Sequence, residues 1–300
     1  MRAHLSSEAA VIPDFDLQTY CDRIGYAGDR SATVETFYAI HRHHAQTIPF
    51  ENLNPLLGWP VPLDIASLQR KLVHDRRGGY CYEQNFLFRA ALEAIGFEVT
   101  GLAARVVYMG DDVVLPRTHM LLRIDLDGQA YIADVGFGGL TLTAPLLLQP
   151  DVEQSTPHEP FRLIRDGAEF IEQGKLGDSW KSLYRFTLDR QYFADYEMAN
   201  YYVSCFPKSR FVNALIAART MPDRRYALLN NELKIHHRNG DTERYVFKSA
   251  KEIRDLLQGP IGINLPDTPD LDTKLLQVLD SGTVVDGNPK LDGPVRHGPI

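Results

Sequence analysis

The segment from 118 to 136 reads THMLLRIDLDGQAYIADVG and decides how the middle of the chain folds. Apolar residues lie on both sides of Asp127-Gly128, a dipeptide that strongly favours a two-residue β-hairpin turn. In the register that such a turn imposes, Asp134 lies diagonally across from His119 on the same face of the sheet. The hairpin therefore predicts that an imidazole and a carboxylate come within reach of each other.

A cysteine stands where a pair of glycines meets an apolar helix, in RGGYCYEQN at 77–85. At a helix N-terminus the free N–H groups and the helix dipole favour a thiolate, so Cys81 is a candidate nucleophile. Such a nucleophile needs a base, and the base needs an orienting group. His119 and Asp134 supply both, which predicts a Cys-His-Asp site.

Each of the three residues also has a structural interpretation. Cys81 can be a small core residue, because free cysteine is among the most buried residue types. His119 can be a strand-end histidine that hydrogen-bonds to backbone, and Asp134 can bond the turn that follows it. Cys21 and Cys205 are expected to pack in the protein interior.

Composition excludes several classes of protein. The chain of 300 residues has 32 basic and 39 acidic residues, a net charge of −7, which argues against a nucleic-acid partner. It has no apolar run of roughly 18 residues, so no membrane span is expected. Three widely spaced cysteines and an N-terminus without an apolar signal segment favour a reducing cytoplasm.

The pattern of apolar residues changes twice along the chain, which predicts an α+β multidomain protein. Helices are expected first, with caps or starts at Asp16, Thr33, Asp64 and Cys81. Strands and hairpins follow, and beyond Asp189 helices at 196–203, 211–218 and 271–279 mix with a hairpin at Asn239-Gly240. The expected domains are 1–96, 97–189 and 190–280, with a disordered tail at 281–300.

Four motifs in this order resemble the arylamine N-acetyltransferase family. They are Pro49-Phe50-Glu51-Asn52-Leu53, the cysteine segment at 77–85, Thr118-His119-Met120 and Asp134-Val135-Gly136-Phe137-Gly138. The resemblance implies an N-terminal helical bundle, a central antiparallel β-barrel and a C-terminal α/β lid around a cysteine-protease-like Cys-His-Asp core.

The resemblance also implies a reaction. The family moves an acetyl group from acetyl-CoA to arylamines and arylhydrazines by a ping-pong route, with Cys81 acetylated, His119 moving the proton and Asp134 holding the imidazole. It further implies roles for eight other residues: CoA binding by Gly136, Gly138 and Gly139, an acceptor pocket of Phe50, Val107 and Phe137, and structural support from Arg77 and Glu51. No metal is expected.

Other functions remain open at this point. An amide synthase, or a cysteine hydrolase or transglutaminase-like enzyme, would use the same three residues, and a catalytically silent binding protein would keep only the fold. His41, His43 and His44 lie on one predicted helix and have the residue type for a metal site, but a solvated helix face is the preferred interpretation. The sequence leaves the oligomeric state and the physiological amine open.

Overall fold

A computed structural model describes residues 15–108 and 114–280, together with the backbone of a two-residue strand at 295–296. Apart from that strand, the expected disordered tail lies outside the described residues. Within them, no helix is long and apolar enough to cross a membrane.

The N-terminal part is helical, as the sequence predicts. The helices are α1 (Leu17–Ile24), α2 (Val34–Thr47), α3 (Leu53–Leu56), α4 (Ile65–Leu68), which continues as a π-helical segment Gln69–His74, and α5 (Cys81–Ile95). The side chains of Asp16, Thr33 and Asp64 accept hydrogen bonds from backbone N–H groups of the first turns of α1, α2 and α4. The predicted N-caps Asp16 and Asp64 are therefore confirmed, as is the predicted helix start at Thr33.

The middle of the chain forms a seven-stranded antiparallel sheet that curls into a nearly closed barrel. Its strands are β2 (Glu98–Val106), β3 (His119–Leu126), β4 (Gln129–Ala133), β5 (Leu146–Leu147), β6 (Phe161–Asp166), β7 (Glu169–Leu176) and β8 (Ser179–Phe186), in the order β5-β4-β3-β2-β8-β7-β6. Just after β5, the backbone N–H of Asp151 donates to Leu163 O in β6 at 2.7 Å. This contact brings the two edges of the sheet together.

The register of the β3–β4 hairpin is the one that the Asp127-Gly128 turn predicts. Leu126 pairs with Gln129, and the ladder continues to the pair Leu122 and Ala133. Asp127 and Gly128 both have positive φ, 51° and 74°, as a type I′ turn requires. The ladder ends at Ala133, so Asp134 is the first residue beyond it.

The C-terminal part mixes helices with a second sheet. The helices are α6 (Phe193–Cys205), α7 (Arg210–Asn213), α8 (Ala250–Gln258) and α9 (Pro269–Asp280). The strands are β1 (Phe50–Glu51), β9 (Ile216–Thr220), β10 (Arg224–Leu229), β11 (Glu232–His237), β12 (Thr242–Val246) and β13 (Val295–Arg296), in the order β1-β9-β10-β11-β12-β13. An edge strand of this sheet thus comes from the predicted helical domain.

The predicted helix at 211–218 is wrong. Its helical part, α7, ends at Asn213, and the alanines Ala217 and Ala218 belong to strand β9. These alanines pair with β1 on one side and with β10 on the other. Backbone pairing on both sides outweighs the helical preference of alanine, because long-range context overrides local propensity.

Candidate active site

Cys81 is the first residue of α5, and the loop before it is held in close contact with the rest of the site. A β-carbon on Gly79 would lie 2.8 Å from the Glu83 Cβ, so this position needs glycine. The Cys81 side chain is 4% exposed, and its Sγ lies 3.7 Å from the carbonyl oxygen of Thr118. That contact brings the sulfur to the residue immediately before His119.

His119 and Asp134 meet at the end of the hairpin. The His119 Nε2 lies 2.6 Å from Asp134 Oδ2, and the two side chains are 4% and 0% exposed. Burial opposes the charged imidazole, but the Asp134 carboxylate and the neighbouring Cys81 sulfur outweigh it and raise the pKa of His119 to about 10. Since Nε2 faces Asp134, Nδ1 is the ring nitrogen left for the thiol.

The second carboxylate oxygen of Asp134 is fixed as well. Asn85 Nδ2 donates to Asp134 Oδ1 at 2.9 Å, and the Gly136 backbone N–H donates to the same oxygen at 2.8 Å. Burial alone would raise the pKa of Asp134, but His119 and these donors lower it overall. Asn85 was assigned no role from the sequence, although its position four residues after Cys81 places both on one face of α5.

A buried tyrosine of the barrel contacts the His119 ring and hydrogen-bonds to a buried glutamate, and the sequence predicts a role for neither. The Tyr184 ring lies 4.9 Å from the His119 ring, centroid to centroid, at 35°. Its hydroxyl donates to Glu172 Oε2 at 2.5 Å, and Glu172 is 1% exposed. Along β7, Glu172 lies on the same buried face as Phe170.

The residues predicted to contact substrates are spread over three elements. Phe137 packs edge-on against the His119 ring, with centroids 5.4 Å apart. Phe50 is buried next to the backbone of Gly138, where a β-carbon would lie 3.6 Å from the Phe50 ring. Val107 is half-buried at the end of β2, and its N–H donates to Leu183 O in β8. The structure therefore brings Phe137 to the imidazole and Phe50 to the glycine loop.

The glycine loop after Asp134 also has a packing role. A β-carbon on Gly136 would lie 2.8 Å from Cys81 Cα, and Gly138 has a φ of +97° that L residues rarely adopt. A β-carbon on Gly139 would meet Ala227 Cβ at 3.5 Å, an ordinary contact. Gly136 is thus required for packing whatever it binds.

Arg77 and Glu51 form a buried ion pair beneath the cysteine loop. Arg77 Nη2 lies 2.7 Å from Glu51 Oε1, and Glu51 Oε2 accepts from the Leu53 N–H at 2.6 Å. Lys71 Nζ lies 2.6 Å from Glu83 and 3.8 Å from Glu51, so two cations balance two carboxylates. Burial alone would raise the pKa of Glu51, but the two cations lower it overall.

The prediction that His41, His43 and His44 lie on a solvent-exposed helix face is wrong for two of the three. His41 and His44 are fully buried, because α2 is covered by α1 and α5. His44 links the Tyr20 hydroxyl to the Gln84 side chain, each at 2.8 Å. Burial lowers the pKa of His41 to about 3 and of His44 to about 4. Among the described residues, no group of three or more His, Cys, Asp or Glu side chains could hold a metal ion.

The three thiols have different surroundings. Cys21 is buried, as expected, and burial raises its pKa. The expectation that Cys205 packs in the interior is wrong, because it lies exposed at the end of α6. Cys81 alone of the three lies at a helix N-terminus beside an imidazole paired with a carboxylate. This arrangement can supply a nucleophile, a proton carrier and an orienting group.

Comparison with known proteins gives one consistent result. A family model described as N-acetyltransferase matches residues 33–270. An arylamine N-acetyltransferase of Mycolicibacterium smegmatis is 42% identical over 89% of this chain and 99% of its own length. One of Escherichia coli is 39% identical over 84% of this chain and 90% of its own. The solved structure of the Mycobacterium marinum arylamine N-acetyltransferase in complex with CoA is 37% identical, with a TM-score of 0.85 over 88% of this chain and 99% of that one.

Proposed function

The chain belongs to the arylamine N-acetyltransferase family, and we propose that it transfers an acetyl group from acetyl-CoA to arylamines or arylhydrazines through a thioester on Cys81. The observation that carries this proposal is the 2.6 Å contact between His119 and Asp134, beside a cysteine at the start of a helix. The CoA complex of the Mycobacterium marinum relative supports acetyl-CoA as the donor.

In the first half-reaction the Cys81 sulfur attacks the carbonyl carbon of the acetyl-CoA thioester. His119 holds the proton taken from the thiol and returns it to the sulfur of CoA as the carbon–sulfur bond breaks. The N–H groups in the first turn of α5 have no partner within the helix, so they can donate to the developing oxyanion. The products are free CoA and acetylated Cys81.

In the second half-reaction an amine nitrogen attacks the acetyl-thioester. His119, now neutral, accepts the proton that the amine loses, and Cys81 leaves as a thiolate that regains its imidazolium partner. Asp134 keeps the same ring nitrogen of His119 bonded throughout, so the other nitrogen always faces the reacting atoms. A thioester suits this sequence, since both a thiol and an amine can displace it.

The substrates are proposed to bind around the Cys81 sulfur, in contact with neighbouring residues of the loop after Asp134. The loop of Gly136, Gly138 and Gly139 admits the CoA pyrophosphate, because backbone without side chains lets a bulky group approach. Phe50, Val107 and Phe137 offer an apolar surface to the aromatic ring of the acceptor. Arg77 and Glu51 support the loop before Cys81 from below.

The intact mass of the protein after treatment with acetyl-CoA tests the proposal. We expect one acetyl adduct on the wild type and none on Cys81→Ser, while Cys205→Ser, the matched control, keeps the adduct. Equal adducts on the wild type and Cys81→Ser would overturn the assignment. If the adduct is lost at the same rate with and without an arylamine, water is the acceptor and the protein is a hydrolase.

This chemistry also sets a condition on the surroundings of the protein. An oxidised Cys81 carries no acetyl group, so turnover requires a reducing compartment. We propose a cytoplasmic location on that ground. The proposed reaction uses no metal, because Cys81 is the nucleophile, His119 carries the proton and Asp134 orients the imidazole.

A further inference from the structure

We propose that the outward face of α6 is an interface through which two copies of this chain form a twofold-symmetric dimer. This assembly is independent of the reaction at Cys81. The occupant of the face is a second copy of the same helix, running in the opposite direction.

Helix α6 carries an apolar stripe on the face that points away from the rest of the protein. The buried residues of its inner face are Tyr196, Asn200, Val203 and Ser204. The outer stripe, spaced i, i+3, i+4 and i+7, consists of Met198, Tyr201, Tyr202 and Cys205. A surface helix ordinarily turns its polar residues outward, so an exposed stripe of this kind marks a contact surface.

The stripe is large and strongly exposed among the described residues. Met198 is 73% exposed and Tyr201 71%, and the stacked rings of Tyr202 and Phe206 are 42% and 38% exposed. At about 200 Å² for each side chain, these four expose about 450 Å². A specific interface buries about 800 Å² on each partner, so the stripe supplies more than half of the area that a stable dimer needs. Tyrosine, phenylalanine and methionine are also enriched at the cores of interfaces.

The charges at the two ends of α6 make this face complementary to itself. Asp195 and Glu197 lie exposed near the start of the helix, and Lys208 and Arg210 lie exposed just after its end. In a twofold dimer both copies present the same face. Antiparallel helices therefore bring the acidic start of one α6 to the basic end of the other, whereas parallel helices would bring like charges together. This complementarity selects a second copy as the occupant.

The stripe also fixes the register of the two helices. Its centre lies between Tyr201 and Tyr202, so a twofold axis at that point pairs these two residues with each other. The same axis pairs Met198 of each copy with Cys205 of the other. The two copies of Cys205 then lie about 10 Å apart along the helix axis, at a rise of about 1.5 Å per residue. That separation is beyond the reach of a disulfide.

One end of the stripe lies close to the candidate active site. Met198 and Ala199 line a cavity of about 310 Å³ together with Arg117 and Tyr82, the residue after Cys81. A second α6 packed on the stripe covers Met198 and so borders this cavity. The dimer therefore adds residues of a second copy to the surroundings of the cysteine loop.

Sedimentation equilibrium of the full chain over a micromolar concentration range tests the proposal. We expect a dimer for the wild type. Tyr201→Glu, which puts a charge at the centre of the stripe, should be monomeric and keep the circular dichroism of the wild type. The matched control is Leu276→Glu, at an exposed apolar residue of α9, which should stay dimeric. A wild type that is monomeric throughout, or that grows beyond a dimer, would overturn the proposal.

A disulfide tests the direction of the two helices. Under mild oxidation, Met198→Cys should form an intermolecular disulfide with Cys205 of the other copy, which peptide mapping identifies. Adding Cys205→Ser should abolish this cross-link. The wild type should form no cross-link between two copies of Cys205, because they lie too far apart. A cross-link between them, or none in Met198→Cys, would overturn the antiparallel arrangement.

Lys208→Glu tests the charge complementarity and leaves the apolar stripe intact. The register places Lys208 opposite Asp195, so the variant brings like charges together at both ends of the interface. We expect the Kd of the dimer at low salt to rise at least about tenfold, and the difference from the wild type to shrink at high salt. The control is Lys251→Glu, the same change at an exposed position on α8, which should keep the wild-type Kd. Equal Kd values for the two variants would overturn the proposal.

Discussion

Gly136 packs directly against the backbone of Cys81. A β-carbon on Gly136 would lie 2.8 Å from Cys81 Cα, closer than real β-carbons come, and 3.0 Å from Asn85 Nδ2, a tight contact. The turn that follows Asp134 is therefore fitted to the first turn of α5, and the spacing of Cys81 and the His119–Asp134 pair depends on the absence of a side chain at Gly136.

Gly136→Ala is expected to separate activity from folding. The added methyl group must push the loop away from α5, and a misplacement of about 1 Å can lower a rate by about a hundredfold. Acetylation of Cys81, followed by mass, measures this loss. Gly177→Ala is the control, because Gly177 has positive φ but open space around it on the β7–β8 turn. It should lose about 1 kcal/mol of stability and keep the acetylation rate.

Alkylation should discriminate among the three cysteines by their surroundings rather than their exposure. Cys81 is expected to react at least about tenfold faster than the exposed Cys205, because a neighbouring imidazolium stabilises the thiolate. Buried Cys21 should react last. In His119→Gln the advantage of Cys81 should disappear while the rate at Cys205 stays the same. Peptide mapping measures all three sites in one sample, and a faster reaction at Cys205 in the wild type would refute the expectation.

Asn85 joins α5 to both strands of the hairpin. Its Nδ2 donates to Met120 O and to Asp134 Oδ1, and its Oδ1 accepts from the Val135 N–H. Asn85→Ala leaves these buried groups without their hydrogen-bond partner and should lower the free energy of unfolding by about 3 kcal/mol. Acetylation of Cys81 should also become slower. Urea denaturation measures the cost. The control is Asn213→Ala, at an exposed position, which should lower the free energy of unfolding by less than about 1 kcal/mol. If both variants lose the same free energy of unfolding, the buried hydrogen bonds of Asn85 contribute little.

Much of the candidate site could be predicted because its determinants are local. The Asp127-Gly128 turn fixes the hairpin register, and that register brings His119 to Asp134. The N-caps likewise depend on residues within one helical turn. The wrong or missing predictions concern burial by distant segments. His41 and His44 are polar residues at positions that look exposed until other helices cover α2. Glu172 lies on the buried face of β7, where nothing in the local sequence assigns it a role.

The buried pair of Arg77 and Glu51 should matter more than surface pairs. Glu51→Gln leaves Arg77 and Lys71 without their shared carboxylate in the interior, which should cost about 3 kcal/mol in the free energy of unfolding. Asp166→Asn breaks the exposed pair with Arg185 and should cost less than about 1 kcal/mol. Chemical denaturation of both variants measures the difference. Equal costs would mean that the interior there is well hydrated.

The stabilisation that protonated His119 gives to the folded state should be lost in alkaline solution. Its pKa is about 10 in the folded protein against 6.5 for an ordinary histidine, so the folded state binds the proton more tightly. The resulting stabilisation is fully present below about pH 6.5 and is lost as the pH rises through about 10. Unfolding free energies measured across this window should fall in the wild type, and the fall should be smaller in His119→Gln. An identical slope in both proteins would contradict the ion pair.

The pairing of Phe50 with Ala218 makes β1 depend on a strand that is synthesised much later in the chain. A ribosome finishes α5 and the hairpin, with Cys81, His119 and Asp134, long before it reaches β9. Until then β1 lacks its partner strand β9, although the Glu51 N–H can already donate to Gly79 O. We expect prematurely terminated chains to carry a reactive thiol without an ordered pocket, which makes them targets for proteases rather than slow enzymes.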